Sequence, residues 1–357
     1  MSPNKTRSPV LNPPPPHLMD TISSFRQPLL LTHINPDADA LGSMLGMTLI
    51  LRALGQSPTP AAPPNSINAR LTFMAQRAAI DIHPDPAHVD ADGIIALDTA
   101  KTDRLNAGTE FDSLLKGRQL VNIDHHTTNP SYGHVNWIDP TASSTAELVW
   151  RIGQATGFWS AHSATNSGTV NQPLTGISPV AAAATVLYAG ILGDTVGFSL
   201  SSTAASALLA AASLVHHGAD VGFVGRRLLR DVRPNEFALL QHVYRQTQTA
   251  ANGKIAYSII SLEDLQQSGC LPADIDNQVD VPRSIAGSVL AILFSETRPG
   301  VVRVNLRSEP PFEALKLARR FNGGGHVYAC GASIHGPLQQ IVRDVLAAAS
   351  EFVDSSV

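Results

Sequence analysis

Three short apolar runs each stop at acids or imidazoles, and that repetition limits the fold more than any other feature of the chain. Leu29 to Leu31 leads into Thr32-His33, Gly93 to Leu97 ends at Asp98, and Gln119 to Ile123 ends at Asp124-His125-His126. Runs of this length are expected as strands, and after the first a turn at Asn35-Pro36 opens a helix carrying Leu41, Leu45 and Leu49 at helical spacing. Strands alternating with helices argue for a parallel sheet, and in an open α/β sheet ligands bind outside the carboxyl ends of the strands. His33, Asp37 and Asp39 fall at such an end. One imidazole and two carboxylates in so tight a turn repel one another and resist burial unless a cation neutralises them. The local alternative is an Asx turn capping the helix, a routine job for Asp and Asn. Three strands delivering such groups to one rim exceed what capping accounts for.

The 357 residues, 43% hydrophobic and 15% charged, suffice for two packed domains. A net charge of -4 with no run of Lys or Arg excludes the electrostatic track that a long nucleic acid needs, so a bound nucleotide offers few phosphates. Cys270 and Cys330 cannot build a disulfide framework, which makes a reducing, cytoplasmic compartment the default. The longest apolar run, Val180 to Leu192, falls short of a membrane span. Residues 1–21, with PPPP at 13–16 and no apolar core behind a basic start, are expected to be a disordered tail and not a signal peptide.

The remaining organisation follows from local signals. Gly55 to Asn68 is expected to be a connection, and Trp159 to Pro173 a loop insertion. Ser144-x-x-Glu147 opens a helix as a capping box, which makes Glu147 structural. An alanine-rich helix, Pro179 to Leu192, ends in Gly193-Asp194-Thr195, and Asp194 either reaches the same rim or is a solvated helix end. A first domain over 22–222 and a linker helix over 223–250 then precede a second domain over 251–357, where strands Ile255 to Ile260, Ser288 to Phe294 and Val301 to Leu306 alternate apolar and polar residues. Between its two helices lies Asn322-Gly323-Gly324-Gly325-His326, a glycine run that lets backbone N–H groups approach a phosphate, or is simply a turn.

Taken in order, His33 to Asp39 as HxNPDxD, the lone Asp98, the DHH triplet at Asp124 to His126, GDT at Asp194, LRS at Leu306 to Ser308 and GGGH at Gly323 to His326 resemble the DHH phosphoesterase family, in its two-domain nanoRNase and pAp-phosphatase branch. The likeness runs from Pro28 to about Ile334. It implies an α/β fold: an N-terminal, mainly parallel sheet flanked by helices, and a smaller C-terminal mixed-sheet α/β domain across a cleft. It also implies two metal ions, Mn2+ or alternatively Mg2+, one held by His33 and Asp37, the other by Asp39, His125 and Asp194, with Asp98 bridging. Four carboxylates against two divalent cations sum to zero charge, and oxygen ligands with an occasional imidazole suit these metals better than thiolate-seeking ones.

The same resemblance gives His126 the scissile phosphate or the leaving group, and gives Asp124 and Asn35 orienting roles. Arg307, Ser308, Gly324, Gly325 and His326 would hold the nucleotide. The implied reaction is attack of an activated water on very short oligoribonucleotides, on the 3'-phosphate of pAp, or on both. Linear or cyclic dinucleotides are the alternative substrates, and a nucleotide-binding regulator without turnover is an alternative of another class. Expected partners are short RNA, pAp or dinucleotides, with no long nucleic acid and no membrane, and a homodimer is an open alternative. Two departures stand out: Cys330 where relatives commonly have Ala, and Val196-Gly197-Phe198-Ser199 after GDT, where relatives often place an earlier glycine or an arginine after the Phe. His83, His134, His216, His217 and His335 lie outside every motif and are expected to be surface or packing residues.

Overall fold

The structure, a computed structural model, describes residues 12–64, 66–105, 114–161, 176–200, 203–271, 275–325 and 327–354. It forms two compact units, residues 1–231 and 232–357.

The first unit runs α1 (Pro16–Ser24), β1 (Leu29–Leu31), α2 (Ala38–Ala53), β2 (Thr59–Pro60), α3 (Thr72–Ala78), β3 (Gly93–Leu97), β4 (Gln119–Asp124), β5 (Val135–Ile138), α4 (Thr145–Ala155), α5 (Phe158–Ala161), α6 (Pro179–Asp194), α7 (Ala205–His216) and α8 (Val221–Gly225), and closes on a π-helical turn, Arg226–Arg230. Its five strands are ordered β2-β1-β3-β4-β5 and every pairing is parallel. Leu31 lies level with Ala96, and Leu97 with Ile123. That register sets the residues after β1, β3 and β4 on one rim. Side chains alternate between faces: Leu30, Ile95, Val121 and Ile123 pack with the helices, whereas Leu29, Leu31, Ile94 and Leu120 form a second core opposite.

Helix α2 is buried from Ala38 to Leu51, and α6 nearly so, because both cross the middle of the helical layer and neither presents a polar face. They approach closely through small residues. A Cβ on Gly42 would stand 2.5 Å from the Val186 carbonyl oxygen, and one on Gly190 would stand 2.6 Å from the Ala146 Cβ and 3.0 Å from Asp39 Oδ1. The glycines therefore set how near Asp39, on α2, comes to Asp194, at the end of α6. Gly42→Ala should destabilise the unit by about 2–3 kcal/mol, since the obstacle is backbone that cannot swing aside. Thermal unfolding monitored by circular dichroism should show the loss, and an unchanged midpoint would mean that the helices can separate without cost.

The second unit contains α9 (Pro234–Gln246), β6 (Gln248–Ala250), β7 (Ile255–Ile260), α10 (Leu262–Ser268), α11 (Asp280–Arg283), β8 (Leu290–Arg298), β9 (Val301–Ser308), α12 (Ala314–Arg320), β10 (Gly324–Gly325), β11 (Ala329–His335) and α13 (Leu338–Asp354). Its six strands are ordered β10-β11-β9-β8-β7-β6; β7 and β8 run parallel and the other neighbours antiparallel. One face packs Phe294, Val304 and Leu306 with α12 and α13, and the other packs Ile260 and Leu293 with α9 and α10. The architecture is thus α/β with a parallel and a mixed sheet. Among the described residues no helix is long and apolar enough to cross a membrane.

Several local expectations need correction. The proline-rich start is not irregular up to residue 21: prolines lead into α1, where Pro16 sits at a position that needs no N–H, and Leu18 and Ile22, one turn apart, are buried. Residues 1–11 lie outside the described residues. The connection Gly55 to Asn68 holds a two-residue edge strand, because Thr59 and Pro60 pair with Leu29 and Leu30. At the start of the expected insertion Trp159 is a core residue, its Nε1–H donating to the Trp150 carbonyl at 3.1 Å, while residues 162–175 lie outside the described residues. The segment expected as a linker helix instead buries Leu239 and Val243 in the second unit.

Candidate metal centre

Each candidate ligand is held by a different local device. Asp37 is the N-cap of α2, its Oδ1 accepting from the N–H groups of Asp39 at 2.9 Å and Ala40 at 3.0 Å. The capping reading and the ligand reading are therefore compatible, because among the described residues nothing bonds its Oδ2. His33 Nδ1 faces its neighbour's carbonyl, Ile34 O, at 3.0 Å. A carbonyl only accepts, so Nδ1 donates there and Nε2 faces Asp98 Oδ2, 3.6 Å away. Asp98 follows β3 with φ 56°, a left-handed backbone uncommon for a residue with a side chain, held by its N–H donating to the Ile123 carbonyl at 3.0 Å.

Asp39 is 1% exposed, and both its oxygens accept from the amino end of α4: Thr145 N–H at 2.7 Å and Ala146 N–H at 2.8 Å. His125 Nε2 lies 3.6 Å from Asp98 Oδ1 and 3.4 Å from Asp194 Oδ2. Three groups of ligand atoms result, each with its members within 4.8 Å of one another: His33, Asp37 and Asp98; Asp39, His125 and Asp194; and Asp98, His125 and His126. The six residues expected as ligands, spread from 33 to 194, fall in two groups that the third links, since Asp98 of the first and His125 of the second both belong to it. Asp194 is the last residue of its helix, at the rim.

Two other expected residues sit differently. Asp124 is fully buried and engaged by protein donors: Oδ1 meets His126 Nδ1 at 2.7 Å and the His125 N–H at 2.8 Å, and Oδ2 accepts from the Asn129 amide at 2.6 Å. It belongs to none of the three groups. Asn35 is exposed, at φ 54°, with no side-chain hydrogen bond among the described residues.

The electrostatics of the cluster's own side chains record their crowding. Burial, followed by the charges of Asp98, Asp194 and Asp37, holds the Asp39 carboxyl well above the ordinary carboxylate range. Burial and the charges of Asp37 and Asp98 raise Asp194 to about 7 against the opposing pull of His125 and His126. Asp98 moves down: burial opposes this, but the bond to His33 and the charges of His125, His126 and His33 prevail. Burial also works against charge on His126, yet its bond to Asp124 and the charges of Asp98, Asp124 and Asp194 lift it to about 9. Two carboxylates resisting ionisation beside a third held ionised describe a site shaped for cations, and an all O and N donor set fits hard or borderline divalent ions.

The residues that orient the ligands were not visible in the sequence. Asn122 and Asn129 bond one another at 2.8 Å, and Asn129 and Tyr132 both donate to the Thr99 carbonyl, steadying the Asp124 carboxylate. The Ser144 cap was visible, but not the Asp39 carboxylate that its helix end receives. Glu147 is fully buried, accepts from the Ser143 N–H at 3.0 Å and pairs with Arg151, which also bonds Asp139 at 2.9 Å.

In the second unit, β9 pairs Arg307 with Ala329 on β11, and β10 pairs Gly325 with Cys330, so Arg307 and the glycines share one end of the sheet. Gly325, at φ 130°, admits no side chain, since a Cβ would lie 2.8 Å from both the Ala329 carbonyl oxygen and the Cys330 Cα. Gly324 is exposed and a Cβ there meets nothing within 4 Å. Ser308 departs from its expected role. It is 5% exposed, and its hydroxyl donates to the Phe312 carbonyl and accepts from the Ala314 N–H at 3.1 Å, so it pins the start of α12. His326 lies outside the described residues. Of the histidines outside the motifs, His134 Nδ1 accepts from the Leu120 N–H at 2.9 Å and His217 Nδ1 meets the Ser213 carbonyl at 2.7 Å, both packing roles.

Comparison with known proteins agrees with this architecture. Residues 29–191 match the DHH family, N-terminal domain, and residues 252–355 match the DHHA1 domain. The chain is 30% identical over 325 residues to the bifunctional oligoribonuclease and PAP phosphatase NrnA of Thermus thermophilus, covering 90% of this chain and 89% of that one. It is 28% identical over 330 residues to the protein of the same name from Bacillus subtilis, covering 89% and 92%. An exopolyphosphatase-related protein from Bacteroides fragilis shares the fold, with a TM-score of 0.81 at 22% identity over 95% of this chain and 96% of its own. With both domains matched in order and the ligand motifs converging on one rim, the chain belongs to the DHH family, a DHH domain followed by a DHHA1 domain.

Proposed function

We propose that this protein is a binuclear metal-dependent phosphoesterase that degrades very short oligoribonucleotides and removes the 3'-phosphate of pAp. The observation that carries this reading is the pair of candidate ligand groups linked where Asp98 of one meets His125 of the other. His33 and Asp37 would hold one ion, Asp39, His125 and Asp194 the other, and Asp98 would touch both. Mn2+ is the ion favoured by the donor set, with Mg2+ second; the two cysteines are buried in the second unit and take no part. Bound divalent ions would make a water acidic enough to attack at neutral pH and would neutralise the phosphate.

The chain's own residues supply the rest. Asp124, fixed by Asn129, holds His126 through Nδ1, and the charged imidazole favoured there is suited to stabilise the phosphate and give a proton to the departing oxygen. In the second unit, the Arg307 guanidinium grips a phosphate and Gly324 and Gly325 offer backbone. Short substrates agree with a net charge of -4, which suits few phosphates and no long strand. The cytoplasm, where Cys270 and Cys330 stay reduced, is the compartment we assign.

The test is a Mn2+ assay over pAp, pApA, a five-nucleotide RNA and cyclic dinucleotides. Turnover of pAp to AMP and phosphate, and of pApA to AMP, is expected; preference for a cyclic dinucleotide would move the protein to the dinucleotide phosphodiesterases. Tight binding of pAp with no product would make it a regulator. Arg307→Ala should raise KM by about 10–100-fold with kcat little changed, the value of one charge-assisted bond. Gly324→Ala should fold normally, because its Cβ points into open space, and should raise KM only where substrate lies against that backbone.

A further inference from the structure

The amino end of α4 holds two candidate ligands at once, and one of its contacts does nothing for the helix. Thr145 is fully buried, and its hydroxyl donates to Asp98 Oδ1 at 2.9 Å while its N–H serves Asp39. Capping does not explain that hydroxyl, since Ser144 is the N-cap and its Oγ accepts from the Glu147 N–H at 3.2 Å. The hydroxyl proton is instead committed to the Asp98 carboxylate.

Asp98 has a demanding task. One oxygen must address the His33 side, 3.6 Å from Nε2, and the other the His125 side, also 3.6 Å from Nε2. Its main chain is fixed by the Ile123 carbonyl, but the final torsion of a carboxylate is broad and leaves the plane free to turn. The three neighbouring imidazoles stand 3.6–3.7 Å away, beyond good hydrogen-bond length. Among the described residues, the Thr145 hydroxyl makes the shortest hydrogen bond to this carboxylate. Each carboxylate oxygen has about two lone-pair directions, so a donor on one of them sets the plane and leaves the second open.

We propose that Thr145 is a positioning residue that fixes the plane of the Asp98 carboxylate, so that its two oxygens address the two halves of the centre. The inference rests on the two-ion reading above. It assigns the hydroxyl no contact with substrate; its effect is on how the centre is assembled and passes through Asp98.

The experiment is Mn2+ titration of the full chain, by calorimetry and by electron paramagnetic resonance, for wild type, Thr145→Ser and Thr145→Val. Valine keeps the shape and the backbone N–H to Asp39 but removes the donor; serine keeps the donor. Thr145→Val should weaken at least one ion by about 10–100-fold, the usual size for losing a partner of a metal ligand, and should replace the spectrum of a spin-coupled Mn2+ pair by that of separate ions. Thr145→Ser should bind within about threefold of wild type, because the bond is retained. Wild-type affinity and a coupled spectrum in Thr145→Val would overturn the proposal. If the valine variant does not fold, serine decides: a tenfold loss there would mean that the hydroxyl is not what matters. A wild-type chain that takes up no ion pair would instead defeat the two-ion reading itself, and this inference with it.

Discussion

Asp98→Ala should lower turnover of pAp and pApA by at least about 10³-fold, the scale seen when an electrostatic element of a preorganised site is removed. Among the described residues Asp98 is the one carboxylate placed against three imidazoles, at 3.6 Å from His33, 3.6 Å from His125 and 3.7 Å from His126, so no neighbour can replace it. Its loss would separate the two ligand groups and remove an anion that keeps His126 charged. The folded state should survive, since a cluster of mutually repelling acids loses one member. Asp98→Asn is the sharper version, because the amide oxygen can still accept from Thr145 while the charge is gone. Single-turnover kinetics with saturating Mn2+ should show the defect in the chemical step, and activity within tenfold of wild type for either variant would remove Asp98 from the centre.

Removing the ions should have the second largest effect, on stability as well as on activity. At free ion a hundredfold above each dissociation constant, two sites add about 5 kcal/mol to the folded state. For a unit of this size that is about 10–20 °C in midpoint, so EDTA should lower the transition by that amount and abolish hydrolysis. The dependence on pH should change sign with the ions. Without them, Asp194 is raised from 3.8 to about 7, so the stability it contributes is complete below pH 3.8 and is lost as pH rises to 7. His126, raised from 6.5 to about 9, loses its contribution between those values. Asp98 is shifted the other way and loses its contribution only below 3.8, in acid. The EDTA-treated protein should therefore become less stable from about pH 4 to pH 9. With Mn2+ the trend should reverse over the lower part of that range, because ligands must shed protons to bind. Superimposable melting curves with and without Mn2+ from pH 5 to pH 8 would show that the cluster binds no ion.

Residues beside one another in sequence were the easiest to assign. The acids and imidazoles after β1, β3 and β4 each follow an apolar run that announces its own strand, and a parallel register does the rest. Cases that turned on a long-range partner were not legible. Leu18 and Ile22 look like two apolar residues behind a proline-rich run until a core is there to receive them. Ser308 stands in a motif that suggests a nucleotide contact, yet its hydroxyl is taken by Phe312 and Ala314. Asn129 and Tyr132 carry no local signal for steadying Asp124, because polar loop residues become partners only once the loop has folded back.

By itself the amino-acid order determined the α/β class, the candidate ligands and their ionic character, since strand runs, helix caps and side-chain chemistry are local properties. Whether Asp194 joined those ligands was decided only in three dimensions, by the glycine contacts that let α6 lie against α2 and bring the end of one helix to the start of the other. The grip of α4 on Asp39 and Asp98 likewise exists only in the folded chain, because a helix end attracts whichever carboxylate packing sets before it, and no spacing in the sequence encodes that distance.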